Sequence, residues 1–236
     1  INFNRQVDTL AALQSLARST FSDNHVLVLN YGLPPTARQE LLAAYPGAEV
    51  LDLPQNQGYA GNNNTGIQLA LARGADWVLV MNEDVIVDPV CVERMVAAGE
   101  RHPRIGMVGP MVYHFDEPAV IQSAGGVMDG WWHASHIAQT QQDDGHITGC
   151  RAVDWLSGCA VLARRQLLEQ IGALDEHFFL YWEETEWCMR AKKAGWRIVH
   201  EPAARVWHKG VKRDYQPQPY VAYYMTRNRF IMLSKH

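Results

Sequence analysis

Apolar positions along the chain fall into two periods. Leu10, Leu13, Leu16 and Ala17 recur at helical spacing and predict a helix over residues 7–18. Four apolar runs, over 26–29, 48–53, 77–81 and 105–112, are too short for helices and read as strands. Helices are expected between them at 37–44, 67–73 and 90–101, the last led by Asp88-Pro89, with proline at a helix start. Residues 1–3 read as a strand end and "NYGLPP" as a turn. This alternation predicts an α/β layer around a mostly parallel sheet. From 114 to 151 the period is lost, and Gly, Gln and Asp pairs suggest short antiparallel strands and a mobile loop. Periodicity returns with a strand at 153–163, helices at 165–171 and 183–194, a last strand at 196–199 and a helical tail at 220–235.

Polar clusters interrupt this pattern at four places. In "WVLVMNEDVIVDP" five apolar residues run into Asn82-Glu83-Asp84. Such a run reads as a strand buried on both faces, and acids at its end are costly unless paired. They are either a solvated strand end or holders of a hard cation, which prefers carboxylate oxygens and shares them with phosphates. The stretch from Asn56 to Gly66 reads as a Gly/Asn-rich loop leading into a helix. Glycines such as Gly58 permit close approach of a ligand, and a helix N-terminus favours an anion such as a diphosphate. An ordinary loop with asparagine capping the helix explains the same residues.

The third cluster follows Phe178-Phe179-Leu180-Tyr181-Trp182 and consists of Glu183, Glu184 and Glu186. Acids in a first turn suit the helix dipole, and Glu186 with Arg190 forms an i,i+4 pair. A carboxylate against aromatic walls also has the raised basicity of a general base. His208, just past the last strand, is either a surface or capping residue or a nitrogen ligand for a Mn²⁺-type ion. The tail with Arg227 and Arg229 either packs on the core or lies on an anionic membrane surface.

Composition narrows the class. The 236 residues are 47% hydrophobic, enough for one sizeable core or a core with a small lobe. A net charge of -4 excludes a nucleic-acid footprint over the whole domain. Cys91, Cys150, Cys159 and Cys188 have no C-x-x-C spacing and read as reduced thiols of a cytosolic protein. No signal peptide and no bilayer-spanning apolar run is visible. The opening "INFN" and the ending "IMLSKH" suggest a chain cut at both ends.

Seven segments occur in one order: "INFN", "HVLVLNYG", "NQGYAGNNNTG", "VMNEDV", "VDWLSGCAVLARR", "GALDEHFFLYWEETEWCMRAKKAGW" and "RVWH". Together they resemble the family 2 glycosyltransferases of GT-A fold, in a rhamnosyltransferase-like branch, over nearly the whole chain. The resemblance implies a mostly parallel central sheet flanked by helices, with a smaller antiparallel acceptor-side part. It implies a nucleotide-sugar-binding half over 1–112, an acceptor and catalytic half over 113–219, and an amphipathic helix over 220–236, all in one catalytic domain.

By the same resemblance, Asp84 falls on the D-x-D position and would bind Mg²⁺ or Mn²⁺, with His208 as the later metal ligand. Glu184 falls on the position of the base, beside Glu183. Asn4, Asn30, Gly58, Asn63, Asn64, Asn82 and Glu83 would line the donor, with Asn30 where many members carry an Asp that contacts the nucleotide base. Trp155, Ser157, Gly158 and Trp182 would face the acceptor. Three departures stand out: Asn82 replaces the first Asp of D-x-D, Asn30 replaces an Asp, and Glu184 replaces the commoner Asp.

The implied reaction is inverting transfer of a sugar from a nucleotide diphosphate donor to a hydroxyl of a surface polysaccharide or lipid-linked glycan. dTDP-L-rhamnose is the first expectation for the donor and a UDP-sugar such as UDP-galactofuranose the second. A catalytically silent sugar-nucleotide-binding module is the competing class. A nucleotidyltransferase would need glycines that "NFNRQVDTL" lacks. The expected location is cytoplasmic, with peripheral work at the inner face of the plasma membrane as its extension.

Overall fold

A computed structural model describes residues 2–3, 5–210 and 218–236. The first sheet is wholly parallel: β1 (Asn2–Phe3), β2 (Leu27–Tyr31) and β3 (Glu49–Asp52), in that order. α1 (Gln6–Leu16) and α2 (Pro35–Ala44) cross between them. Pro35 stands in the first turn of α2, where a missing N–H leaves no bond unmade. Leu13, Val28, Leu41 and Val50 close a small core between these elements.

The second sheet is mixed and has seven strands. β4 (Trp77–Met81), β6 (Ile105–His114), β10 (Arg151–Ala152), β11 (Ala160–Arg164) and β12 (Arg197–His208) run in the order β10-β12-β6-β11-β4. β5 (Val85–Val87) joins β12, and β7 (Ile121–Ser123) joins β6. Among the described pairs of this sheet only β12 with β6 is parallel. β6 is buried at every position because it has neighbours on both edges and helices on its face. The expected parallel part is thus the first sheet, and the second draws strands from both sides of residue 112. A hairpin of β8 (Gly126–Met128) and β9 (Ala134–His136) supplies the small antiparallel part.

α3 (Gly58–Ala72) corrects the loop expected at 54–66: the Gly/Asn stretch is helical from Gly58. Tertiary contacts override its weak propensity. A Cβ on Gly66 would meet Leu29 at 3.0 Å, so glycine lets α3 lie close to β2. Asn56 accepts from the Gly58 N–H, and Asn62 accepts from the Gln57 N–H, so asparagines satisfy the helix start. The strand expected at 153–163 is confined to β11, and residues 153–155 bond to Ile198 and to Gly126 of the hairpin instead. The last strand is longer than expected and continues through Pro202. A register shift between Glu201 and Arg205 accommodates the proline, which cannot donate a ladder bond.

α4 (Cys91–Glu100) covers β6 and β12, while α5 (Arg165–Ile171) and α6 (Glu183–Lys193) cover the other apolar cluster around Trp187 and Ile198. α7 (Pro219–Lys235) is the expected tail helix. It is anchored by Asn228, whose Nδ2 donates to the carbonyls of Phe178, Leu180 and Tyr181. No helix among the described residues is long and apolar enough to cross a membrane.

Candidate active site

Strand register assembles the site. β11 runs antiparallel to β4 with Ala160 opposite Met81, so the segment before β11 meets the segment after β4. The Asn82 N–H donates to the Cys159 carbonyl at 3.0 Å. β12 ends beside β5, with His208 opposite Val85, and the Lys209 N–H donates to the Asp84 carbonyl. Residues 82–84, 157–159 and 208–210 therefore share one end of the sheet.

Asp84 is buried at this junction. Its Oδ2 accepts from Arg5 Nη1 at 2.7 Å. Its Oδ1 faces His208 Nε2 at 3.3 Å yet has no hydrogen-bond partner. Burial works to raise the Asp84 pKa, and His208 and Arg5 outweigh it, so the carboxylate is held below its ordinary range. The 3.3 Å between Asp84 Oδ1 and His208 Nε2 is close to the spacing of neighbouring ligands around a cation bound at about 2.1 Å. Among the described residues no three His, Cys, Asp or Glu side chains converge, so such an ion would need phosphate and water as further ligands. Gly210 leaves room for them: a Cβ there would stand 2.5 Å from Asp84 Oδ2 and 3.0 Å from His208 Nε2.

Two cations face the acids of this tip. Arg5 also pairs with Asp8, and Lys209 Nζ lies 3.2 Å from Asp8 Oδ1. Arg5, Asp8, Lys209 and Gly210 were not singled out from the sequence, though Lys209 and Gly210 directly follow "RVWH". Glu83 is half-buried beside Asp84, and burial raises its pKa first of all. Asn82 contributes its backbone to the β11 junction and no charge.

The second acid group opens α6. Trp182 sits in the left-handed region, φ 75°, and turns the chain into the helix at Glu183. Glu183 is buried, and its Oε2 has no partner. Burial, then the charge of Glu184, pushes its carboxyl well above the ordinary range. Glu184 is half-buried, and burial raises it as well, against the backbone N–H groups of Glu184, Thr185 and Gly158, which favour the charged form. Gly158 packs against this carboxyl: a Cβ there would lie 3.4 Å, ordinary contact distance, from the Glu184 carboxyl carbon and from Tyr59 Oη. Tyr59 Oη donates to the Gly158 carbonyl at 2.5 Å. The Tyr59 hydroxyl is raised well above its usual value by burial and then by Glu183 and Glu184, which marks it as another neighbour of the acids.

Cys159 lies between the two acid groups. Burial pushes its thiol up to about 12, Ser157 opposes the shift, and the charges of Asp84 and Glu184 add to it. One buried residue thus feels both carboxylates, and Ser157 touches it from the same turn.

Other sequence candidates are placed elsewhere or used otherwise. Gly58 has φ +75°, but the backbone it approaches is its own chain: a Cβ would stand 2.3 Å from the Phe179 carbonyl oxygen. Asn64 is committed to the fold, its Nδ2 donating to the Leu174 carbonyl and Glu176 and its Oδ1 accepting from the Leu174 N–H. Both residues thus have packing and tethering contacts within the fold. Asn63 is buried with Nδ2 unpartnered. Asn30 donates to Asp52 at 2.6 Å, which brings an acid back to this strand end, itself paired with Arg38. Trp155 is buried, donates to the Val127 carbonyl and packs its ring on His136. Asn4 lies outside the described residues.

An α/β sheet with two acid groups at one end is the layout of a GT-A glycosyltransferase, and solved structures match that fold. GalNAc-T7 with UDP, GalNAc and Mn²⁺ aligns with a TM-score of 0.69 at 14% identity, over 87% of this chain and 41% of that one. A mannosyltransferase from Pyrobaculum calidifontis, in complex with GDP-Man and Mn²⁺, aligns with a TM-score of 0.63 at 14% identity, over 91% of this chain and 56% of that one. Residues 1–172 match the sequence profile of Glycosyl transferase family 2, and the chain belongs to that family. An N-acetylglucosaminyl-diphospho-decaprenol L-rhamnosyltransferase of Mycobacterium tuberculosis is 30% identical over 83% of this chain and 70% of its own length. The galactofuranosyltransferase GlfT2 of the same species is 21% identical over 99% of this chain and 40% of its own.

Proposed function

We propose that the chain is an inverting glycosyltransferase that moves L-rhamnose from dTDP-L-rhamnose to a hydroxyl of a lipid-linked glycan. One observation supports the reading: the register of β4 with β11 brings residues 82–84 beside 157–159, and Gly158 packs against the Glu184 carboxyl, so Asp84 and Glu184 flank one junction. The named activity of the 30% identical relative supports the sugar and the lipid-linked acceptor.

Asp84 and His208 would hold a divalent cation, which when bound supplies positive charge to the leaving diphosphate. Arg5 and Lys209 add fixed positive charge on the same side. Glu184 takes the proton of the acceptor hydroxyl. That oxygen forms its bond to the anomeric carbon as the bond to the diphosphate breaks, on the opposite face, and configuration inverts. Burial around Glu184 keeps its carboxylate basic enough for this step. By the family resemblance the Asn30–Asp52 pair would face the nucleotide base, with Asn63 and Glu83 as further donor-side polar groups.

Acceptor contacts are assigned to Ser157, Gly158 and Trp182, with the buried Trp155 supporting that turn through Val127 and His136. A groove of about 520 Å³ beside Trp182, lined by Met225, Phe230, Leu233 and Arg229, would take the apolar part of the acceptor at a membrane surface. The test is a thermal-shift screen with dTDP-rhamnose, UDP-galactofuranose and GDP-mannose, with and without Mn²⁺, followed by transfer to a polyprenyl-diphosphate-linked sugar. Stabilisation by dTDP-rhamnose and transfer are expected. Stabilisation by UDP-galactofuranose alone would move the donor to the second expectation, and binding without turnover would favour the silent module.

A further inference from the structure

Gln122 has no part in the roles given so far. It lies in the stretch whose sequence has no period. β7 and β6 pair with a shift: Val112 faces Ser123, while the next residue, Tyr113, faces Ile121. Gln122 is therefore the extra residue of a β-bulge, a device that re-aims a side chain. All three residues of β7 are buried, so a polar group there needs a partner. Gln122 Oε1 meets His208 Nδ1 at 3.1 Å, across 86 positions of sequence.

An amide oxygen only accepts, so Nδ1 carries the ring proton and donates it to Gln122. In the neutral ring Nε2 then keeps its lone pair beside Asp84 Oδ1, 3.3 Å away, whereas in the protonated ring the same contact is an ion pair. The other tautomer would place an N–H there and remove the lone pair. A second group that fixes the tautomer is what a ligating histidine requires.

We propose that Gln122 is a positioning residue: the bulge of β7 aims it at His208, where it holds the Nδ1–H form and keeps Nε2 free beside Asp84. The Nδ1–H follows from the contact and the free Nε2 from the neutral ring; the consequence for a cation rests on the reading under Proposed function.

The test begins with imidazole ¹⁵N spectra of the metal-free protein at alkaline pH. Wild-type His208 is expected in the Nδ1–H form. Gln122→Met removes the acceptor, and Gln122→Asn is one methylene too short to reach; both are expected to lose that form while melting cooperatively. Gln122→Glu keeps an acceptor at the same reach and is expected to retain it. Mn²⁺ affinity in the presence of dTDP, followed by electron paramagnetic resonance, should fall about 10- to 100-fold in the Met and Asn variants and be kept in the Glu variant. A His208 signal that stays Nδ1–H in both the Met and Asn variants overturns the proposal. If the tautomer changes but Mn²⁺ affinity does not, in these variants and in His208→Ala alike, Gln122 remains the holder of the tautomer and the cation reading is the one that falls.

Discussion

Glu184 and Glu183 differ by one position and by what they are expected to do. Glu184→Gln should lower kcat by about 100- to 10,000-fold, the range for a lost general base, while dTDP binding with Mn²⁺ persists. Near-normal turnover in that variant would remove Glu184 from the base role. Because burial raises its pKa, the acid limb of kcat/KM should lie above the ordinary glutamate value of about 4.3. Glu183 shows the same direction as a stability effect. Its folded pKa is raised, so its contribution is full below about 4.3 and is lost as pH rises through the folded value. Glu183→Gln should therefore melt higher than wild type at alkaline pH, with the gain closing as the medium becomes acidic. Gly210→Val offers a third residue-scale check. The side chain would enter the space between Asp84 and His208 and push Asp84 Oδ2 from Arg5, so nucleotide binding should weaken and the melting temperature should fall with it.

At the scale of elements, α3 separates what a sequence displays from what it withholds. Three asparagines and three glycines look like a ligand loop, and the plain pattern gave no reason to expect a buried helix. Packing decides: Gly66 meets Leu29, and Asn64 reaches a turn 110 residues away. Asn64→Ala should cost about 1–3 kcal/mol, because the Leu174 N–H and carbonyl lose their partner, with nucleotide affinity unchanged. A parallel loss of affinity would return Asn64 to the donor site. The acids and His208 were legible because their neighbours in sequence carry recognisable patterns. Gln122, Arg5 and Tyr59 were not, because each gains its place through a bulge, a strand end or a long-range hydrogen bond. Likewise 153–159 has a strand's composition, but Val153 donates to Ile198 and residues 154–155 pair with Gly126 of the hairpin.

Over the whole molecule, charge and apolar surface are unevenly spread. The chain is net negative, yet α7 has no acid and carries Arg227, Arg229 and Lys235. Tyr220, Tyr223, Met225, Phe230 and Leu233 on the same helix are exposed, and Trp131 of the neighbouring hairpin is 80% exposed. If this rim works at a lipid surface, the protein should co-sediment with vesicles containing anionic lipid, and Phe230→Ser with Leu233→Ser should abolish it. Equal sedimentation of the double variant would assign the rim to something else. The register that joins 82–84, 157–159 and 208–210 has another consequence, in time rather than space. His208 reaches Asp84 only after β12 has docked on both β5 and β6. Pairings so distant along the chain form late, since loop closure precedes their reward. During refolding, helical signal should recover first and nucleotide binding last, so that the site reports the completion of the fold.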